Sequence, residues 1–214
     1  MIGIIDYGVG NLRSVQKAFE AIGASATILP APAALSPQVN KLILPGVGAF
    51  ADGMDLLRQR GWIDPVKGWI AAGRPLLGIC LGMQLLFAGS EEDAPAGGPL
   101  VPGLAVLPGK VVRFREEDAT PRLKVPHMGW NTLSWRRDDP LLRGLPQQSA
   151  VYFVHSYYAQ PADAALTSAS ADYGRPFCAT VWRGNLWATQ FHPEKSQRVG
   201  LAMLANFAAL PSST

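Results

Sequence analysis

The sequence predicts an α/β fold: a single domain with a central, mostly parallel sheet flanked by helices, continued by an antiparallel-rich second half. Three observations carry that prediction. Short, wholly apolar strand-like runs recur in the first 90 residues. Each leads, through a turn or loop, into a segment with helical periodicity or into the next strand. From Leu104 onward the chain changes to short strands in close succession.

Taken in order, Ile2–Asp6 is a β-branched run that ends in Tyr7-Gly8-Val9-Gly10, a buried strand closed by a glycine turn. Asn11–Ile22 follows as a helix. Leu12, Val15, Phe19 and Ile22 recur at three- and four-residue steps, and Gly23 stops it. Ala26–Leu29 and Leu42–Leu44 are the next strands, the second running into Pro45-Gly46-Val47-Gly48. Helical patterns cover Met54–Gln59 and Ile63–Ala72. Leu76–Ile79 is a fourth apolar strand, and Leu81–Phe87 reads as a helix. Strands apolar on both sides need cover on both faces, which is the condition of a parallel sheet. After the Pro/Gly-rich loop Ala94–Pro102, strands are expected at Val106–Phe114, Thr132–Trp135, Val151–Tyr158 and Leu166–Ala171. Phe177–Trp182 and Leu186–Phe191 flank Arg183-Gly184-Asn185, a hairpin signal. A last helix runs over Gln197–Leu210, and the final strand and helix return to the sheet.

Composition narrows the function classes. The 214 residues are 48% hydrophobic and 16% charged, which argues against disorder. Length suggests one domain over 1–214, long enough to need no disulfide staple. The net charge of +3 is too small an excess to imply a nucleic-acid partner. The most apolar window, Pro75–Gly89, is too short for a membrane span and is broken by glycines and Gln84. Cys80 and Cys178 make no disulfide framework. The N-terminus has no basic n-region of a signal peptide, and a cytoplasmic protein is expected. The histidines and cysteines lack paired spacing, so neither metal nor cofactor is expected. Tyr7-Gly8-Val9-Gly10-Asn11 begins like a dinucleotide fingerprint, but Arg13 and Ser14 stand where its third glycine belongs. It reads as a close-packing or partner-contact loop.

The chemistry centres on Gly78-Ile79-Cys80-Leu81-Gly82. Between an apolar strand and a helix, this is a nucleophile elbow with cysteine in place of serine. The turn lifts the sulfur out at the carboxyl end of a strand, where open α/β sheets bind ligands. The free N–H groups of the following turn favour a sulfur anion and can hold an oxyanion, the Leu81 N–H first among them. The competing reading is a buried structural cysteine beside packing glycines. A thiol nucleophile needs a base and a group to orient it. His192-Pro193-Glu194 supplies both, because residues i and i+2 of extended chain point to one side. His127 and His155 lack such an acidic neighbour and read as packing or hydrogen-bonding histidines. The glycines of Gly46-Val47-Gly48 let backbone N–H groups turn toward the sulfur as further oxyanion donors. Gln84, one helical turn after Cys80, can meet a substrate held there. Glu91 or Glu92 can pair with a substrate ammonium.

These segments resemble class I glutamine amidotransferases: Gly-Ile-Cys-Leu-Gly-Met-Gln at 78–84, Pro-Gly-Val-Gly at 45–48 and His-Pro-Glu at 192–194. Within that class, Asp6–Asn11, Pro126-His127-Met128-Gly129-Trp130-Asn131, Phe153–Tyr158 and His192–Gln197 are similar to the glutaminase subunits of imidazole glycerol phosphate synthases. The resemblance implies a Cys80, His192, Glu194 triad and an oxyanion hole from Gly46, Val47, Gly48 and Leu81. It implies glutamine held by Gln84, Glu92, Ser156 and Tyr157. It also implies a (β/α)8-barrel cyclase as heterodimer partner, with Tyr7, Asn11, Met128, Trp130 and Lys195 as contacts or signalling residues. Rival readings are a class I amidotransferase serving another synthase, a thiol hydrolase on a related fold, and a binding module that kept the elbow for packing.

Overall fold

The computed structural model describes residues 1–118, 120, 122–135 and 137–212. The first half alternates as expected: β1 (Ile2–Ile5), α1 (Leu12–Ala21), β2 (Ala26–Leu29), β3 (Lys41–Leu44), α2 (Phe50–Gln59), α3 (Ile63–Ala71), β4 (Leu76–Ile79) and α4 (Leu81–Gln84). The second half is strand-rich: β5 (Gly89–Ser90), β6 (Val101–Pro102), β7 (Gly109–Arg113), β8 (His127–Thr132), β9 (Ser134–Trp135), β10 (Ala150–His155), β11 (Tyr157–Pro161), β12 (Thr167–Asp172), β13 (Pro176–Arg183) and β14 (Leu186–Thr189). The helix α5 (Gln197–Ala209) completes it.

The main sheet has eight strands in the order β2-β1-β3-β4-β14-β13-β12-β9. From β2 to β14 neighbours are parallel; from β14 to β9 they are antiparallel. The last strand therefore does return, and it lies in the middle beside β4. Alternate side chains of the central strands feed two cores. Leu42, Leu44, Leu76 and Leu186 pack with Phe50, Met54, Leu57 and Trp69 of α2 and α3. Ile4, Ile43, Leu77 and Trp187 pack with Phe19 of α1 and Met203, Leu204 and Phe207 of α5. Both faces are covered by packed helices, which is why these strands are apolar on both sides. Among the described residues no helix is long and apolar enough to cross a membrane.

Three departures from expectation bear on the site. The helix after Cys80 is one turn, Leu81–Gln84, not Leu81–Phe87. Its apolar continuation is drawn into sheet-like pairing instead: Phe87 bridges Leu107, and Leu86 O accepts from both Val106 N and Leu107 N. The expected strand Val151–Tyr158 breaks at Ser156. Before the break β10 pairs with β8, and after it β11 pairs with β7 in a separate four-stranded sheet, β11-β7-β5-β6. Finally, His127–Thr132 is a strand that its mixed sequence did not announce.

Candidate active site

Register builds the site before any side chain is considered. β4 lies between β3 and β14, with Leu44 aligned to Gly78 and Ile79 to Thr189. All three strands run the same way. The residues that follow them therefore meet at one edge: Pro45–Gly48, Cys80, and Gln190–Glu194. Cys80 N–H donates to Thr189 O at 2.7 Å, which pins the turn. Cys80 itself sits at φ 54°, ψ −111°, in a region that L side chains rarely occupy. Gly82 makes the turn possible, since a Cβ there would collide with the Leu44 carbonyl oxygen.

A cavity of about 320 Å³ opens over this edge, a size suited to a small metabolite. Cys80 and His192 both line it, as do Val47, Gly48, Leu81, Gln84, Glu92, Ser156 and Tyr157. Gly46 lies behind that lining. Its missing side chain leaves room for the Tyr7 hydroxyl and Leu81.

His192 Nδ1 is 2.8 Å from Glu194 Oε1, and both side chains are buried. Burial pulls the imidazole toward neutrality. The hydrogen-bonding proximity of Cys80, then Glu194, outweighs it and pushes the His192 pKa up to about 10. Nε2, the nitrogen on the far side from Glu194, has no well-formed hydrogen bond within the protein. A short 3-10 turn, Pro193–Lys195, holds the pair. Ser196 ties it down, donating from Oγ to His192 O at 2.7 Å and accepting from Tyr152 N at 3.0 Å.

The Gln84 amide has a settled orientation. Nε2 donates to Tyr157 O at 2.9 Å and to Gln190 Oε1 at 3.1 Å, so its carbonyl oxygen is the atom left to meet a ligand. Glu92 Oε2 accepts from Phe50 N at 2.8 Å, at the start of α2. Burial raises the Glu92 pKa despite that hydrogen bond. Glu91, by contrast, pairs with Lys110 at 2.8 Å and is not among the lining residues.

Of the expected contact residues, Asn11 and Lys195 are exposed, and Met128 and Trp130 are 63% and 50% exposed. Tyr7 is a correction to a direct contact role. Its side chain is 0% exposed, packed beneath Gly46 with an unpartnered hydroxyl. Sequence reasoning missed Gln190, which is wholly buried and points Nε2 at Cys80 Sγ from 3.9 Å. Its position one residue beyond the end of β14 became meaningful only through the β4–β14 register. Also missed was the part of His155 in lining the cavity. Among the described residues no group of three or more His, Cys, Asp or Glu side chains is placed to hold a metal.

Comparison with known proteins gives a consistent answer. The sequence family described as Glutamine amidotransferase class-I matches residues 3–210. The imidazole glycerol phosphate synthase subunit HisH of Syntrophotalea carbinolica is 55% identical, over 97% of this chain and 98% of that protein. The protein of the same description from Salinibacter ruber is 49% identical, over 100% of this chain and 96% of that one. A solved glutamine amidotransferase shares the fold with a TM-score of 0.71 at 22% identity, covering 98% of this chain and 99% of that one. The chain belongs to the class-I glutamine amidotransferases and, among them, to the HisH subunits of imidazole glycerol phosphate synthase.

Proposed function

We propose that this chain hydrolyses glutamine to glutamate and ammonia with Cys80 as nucleophile, His192 as general base and acid, and Glu194 as the group that orients and charges the imidazole. One observation carries the reading. Cys80, on a strained strand-to-helix turn, shares a cavity with an imidazole whose remote nitrogen is held by a buried carboxylate. The raised His192 pKa favours an imidazolium beside Cys80.

The sulfur attacks the side-chain amide carbon of glutamine, and the carbonyl π pair moves onto oxygen. N–H groups of the Gly46–Gly48 loop and of Leu81 receive that charge. Losing one donor of this kind raises a barrier by about 3 kcal/mol. The imidazolium gives its proton to the amide nitrogen, the C–N bond breaks, and ammonia leaves a γ-glutamyl thioester. His192 then takes a proton from water, the hydroxide attacks the thioester, and the sulfur departs with glutamate released. The Gln84 carbonyl oxygen accepts a substrate N–H, Glu92 meets the α-ammonium, and the Ser156–Tyr157 backbone supports the rest of the amino acid.

The ammonia goes to a (β/α)8-barrel cyclase that docks through the exposed residues Met128, Trp130, Asn11 and Lys195. The products are imidazole glycerol phosphate and an aminoimidazole carboxamide ribonucleotide, on the route to histidine. Hydrolysis without a taker wastes glutamine, so turnover should be gated. Val47 is exposed and Gly48 sits at φ 97°, where a glycine turns a peptide at little cost. The test is to mix the chain with the cyclase and its nucleotide. Glutamine-dependent product, with turnover rising steeply over the chain alone, is the expected result. Equal turnover in both conditions removes the gate, and absence of product removes the partner assignment.

A further inference from the structure

Strand β8 is two-faced. Met128 and Trp130 are exposed on one side, whereas His127 is buried and Asn131 half-buried on the other. The pairing with β10 sets His155 directly opposite His127. The His127 ring lies between Tyr173, with centroids 4.0 Å apart, and Phe153, at 4.9 Å, near-parallel to both. Burial pushes the His127 pKa down to about 4 and, against the hydrogen bond to Tyr157 O, the His155 pKa down to about 3. Both rings are therefore neutral at neutral pH, and each has one donor nitrogen and one acceptor.

Which nitrogen is which can be read from either end. Asn131 Oδ1 accepts from Thr132 N at 2.8 Å, so the Asn131 NH2 is the group that faces Asp172 O at 2.7 Å and His127 Nε2 at 3.3 Å. An NH2 donates, hence His127 Nε2 accepts and His127 Nδ1 carries the proton. That N–H points at His155 Nε2, 3.2 Å away, which accepts in turn. His155 Nδ1 then carries a proton and donates to Tyr157 O at 2.8 Å. Starting from the carbonyl, which can only accept, returns the same assignment. The second lone pair of Tyr157 O takes Gln84 Nε2, the contact that turns the Gln84 carbonyl oxygen toward the cavity.

We propose that Asn131, His127 and His155 are positioning residues for glutamine: a one-way relay of neutral hydrogen bonds that fixes the Tyr157 carbonyl and, through it, the Gln84 amide at the cavity wall. This rests on the reading of the cavity as a glutamine site. Without the relay the Tyr157 carbonyl loses one of its two donors and is no longer fixed, which leaves the Gln190 Oε1 contact as the one firm hold on the Gln84 NH2.

Two measurements on the complex with the cyclase test this. Nitrogen NMR of 15N-histidine-labelled protein should show His127 and His155 both neutral and both protonated at Nδ1. An imidazolium or an Nε2–H form at either overturns the relay. In kinetics, His127→Phe keeps an aromatic ring in the stack but removes both nitrogens. It should raise the glutamine KM about tenfold while kcat stays within about twofold, the scale of one or two neutral hydrogen bonds. His127→Gln can accept from Asn131 and donate to His155, and should bring KM back to within about threefold of the parent. An unchanged KM in the Phe variant, or a Gln variant as impaired as Phe, overturns the positioning role. A parent complex that does not hydrolyse glutamine overturns the glutamine reading itself, and with it the positioning role, whereas the tautomers are read independently of any activity.

Discussion

The molecule's three histidines are buried to a similar depth, at 2%, 3% and 7% exposure for His192, His127 and His155, yet two regions treat the imidazole in opposite ways. At the sheet edge, Cys80 and then Glu194 raise the pKa of His192 against burial. Under the β8–β10 ribbon, aromatic rings, an amide and a carbonyl surround His127 and His155, and both are pushed far down. Burial disfavours the charged ring everywhere. What differs is whether Cys80 and a carboxylate stand beside the ring. On the proposed mechanism the first region moves protons, and on the proposed relay the second holds hydrogen bonds in one direction.

The largest effect comes from removing the sulfur. Cys80→Ala should lower glutamine-dependent synthesis by about 10⁴-fold or more, while ammonia-dependent synthesis by the complex is unchanged. It should also lower the His192 pKa, followed by NMR titration. Retained glutamine turnover would break the contrast at its origin. Next, Glu194→Gln keeps the shape and removes the charge. A drop in kcat of about 10³–10⁴-fold is expected, together with a fall in the His192 titration midpoint.

Stability against pH sharpens the contrast further. The folded pKa values of His127 and His155 lie below the free value of about 6.5, so between those values the unfolded chain binds more protons. Their stabilisation is therefore complete above about pH 6.5 and is lost as pH falls toward 4 and 3, by up to about 1.4 kcal/mol per pH unit for each ring. His192 has the opposite sign. Its contribution is complete below about 6.5 and fades as pH rises through about 10. Urea midpoints measured across the acid limb should flatten in a His127→Gln, His155→Gln double variant; an equally steep limb would place the acid sensitivity elsewhere. The smallest effect on the isolated chain belongs to Trp130→Ala, on the outer face of β8. Folding stability should stay within about 0.5 kcal/mol, whereas affinity for the cyclase should fall about tenfold. A large loss of stability would mean that the outer face supports the relay rather than a partner.

Local patterns made much of this legible. The apolar runs of β1, β3 and β4 and the periodicity of α1 and α5 were readable because each buries its own face against a neighbouring layer. The elbow was readable because Gly78 and Gly82 bracket Cys80. The errors occurred where tertiary pairing overrode a local pattern. Leu85–Phe87 continues a helical pattern, but Leu107 draws Phe87 into a bridge. Ser156 sits inside an apparently continuous strand, yet its carbonyl accepts from Phe114 N as the chain changes sheets. The resemblance implies Tyr7 as a partner contact or signalling residue, and only packing beneath Gly46 shows that its side chain is out of solvent.

The chain's own order of residues was enough to single out Cys80, His192 and Glu194, since a tight turn and an i, i+2 spacing are properties of a few neighbouring bonds. It could not supply Gln190 beside the sulfur, the direction of the His127–His155 hydrogen bonds, or the opposite pKa shifts of the histidines. Those follow from the register between strands distant in sequence and from desolvation, which sums over every atom that folding brings near.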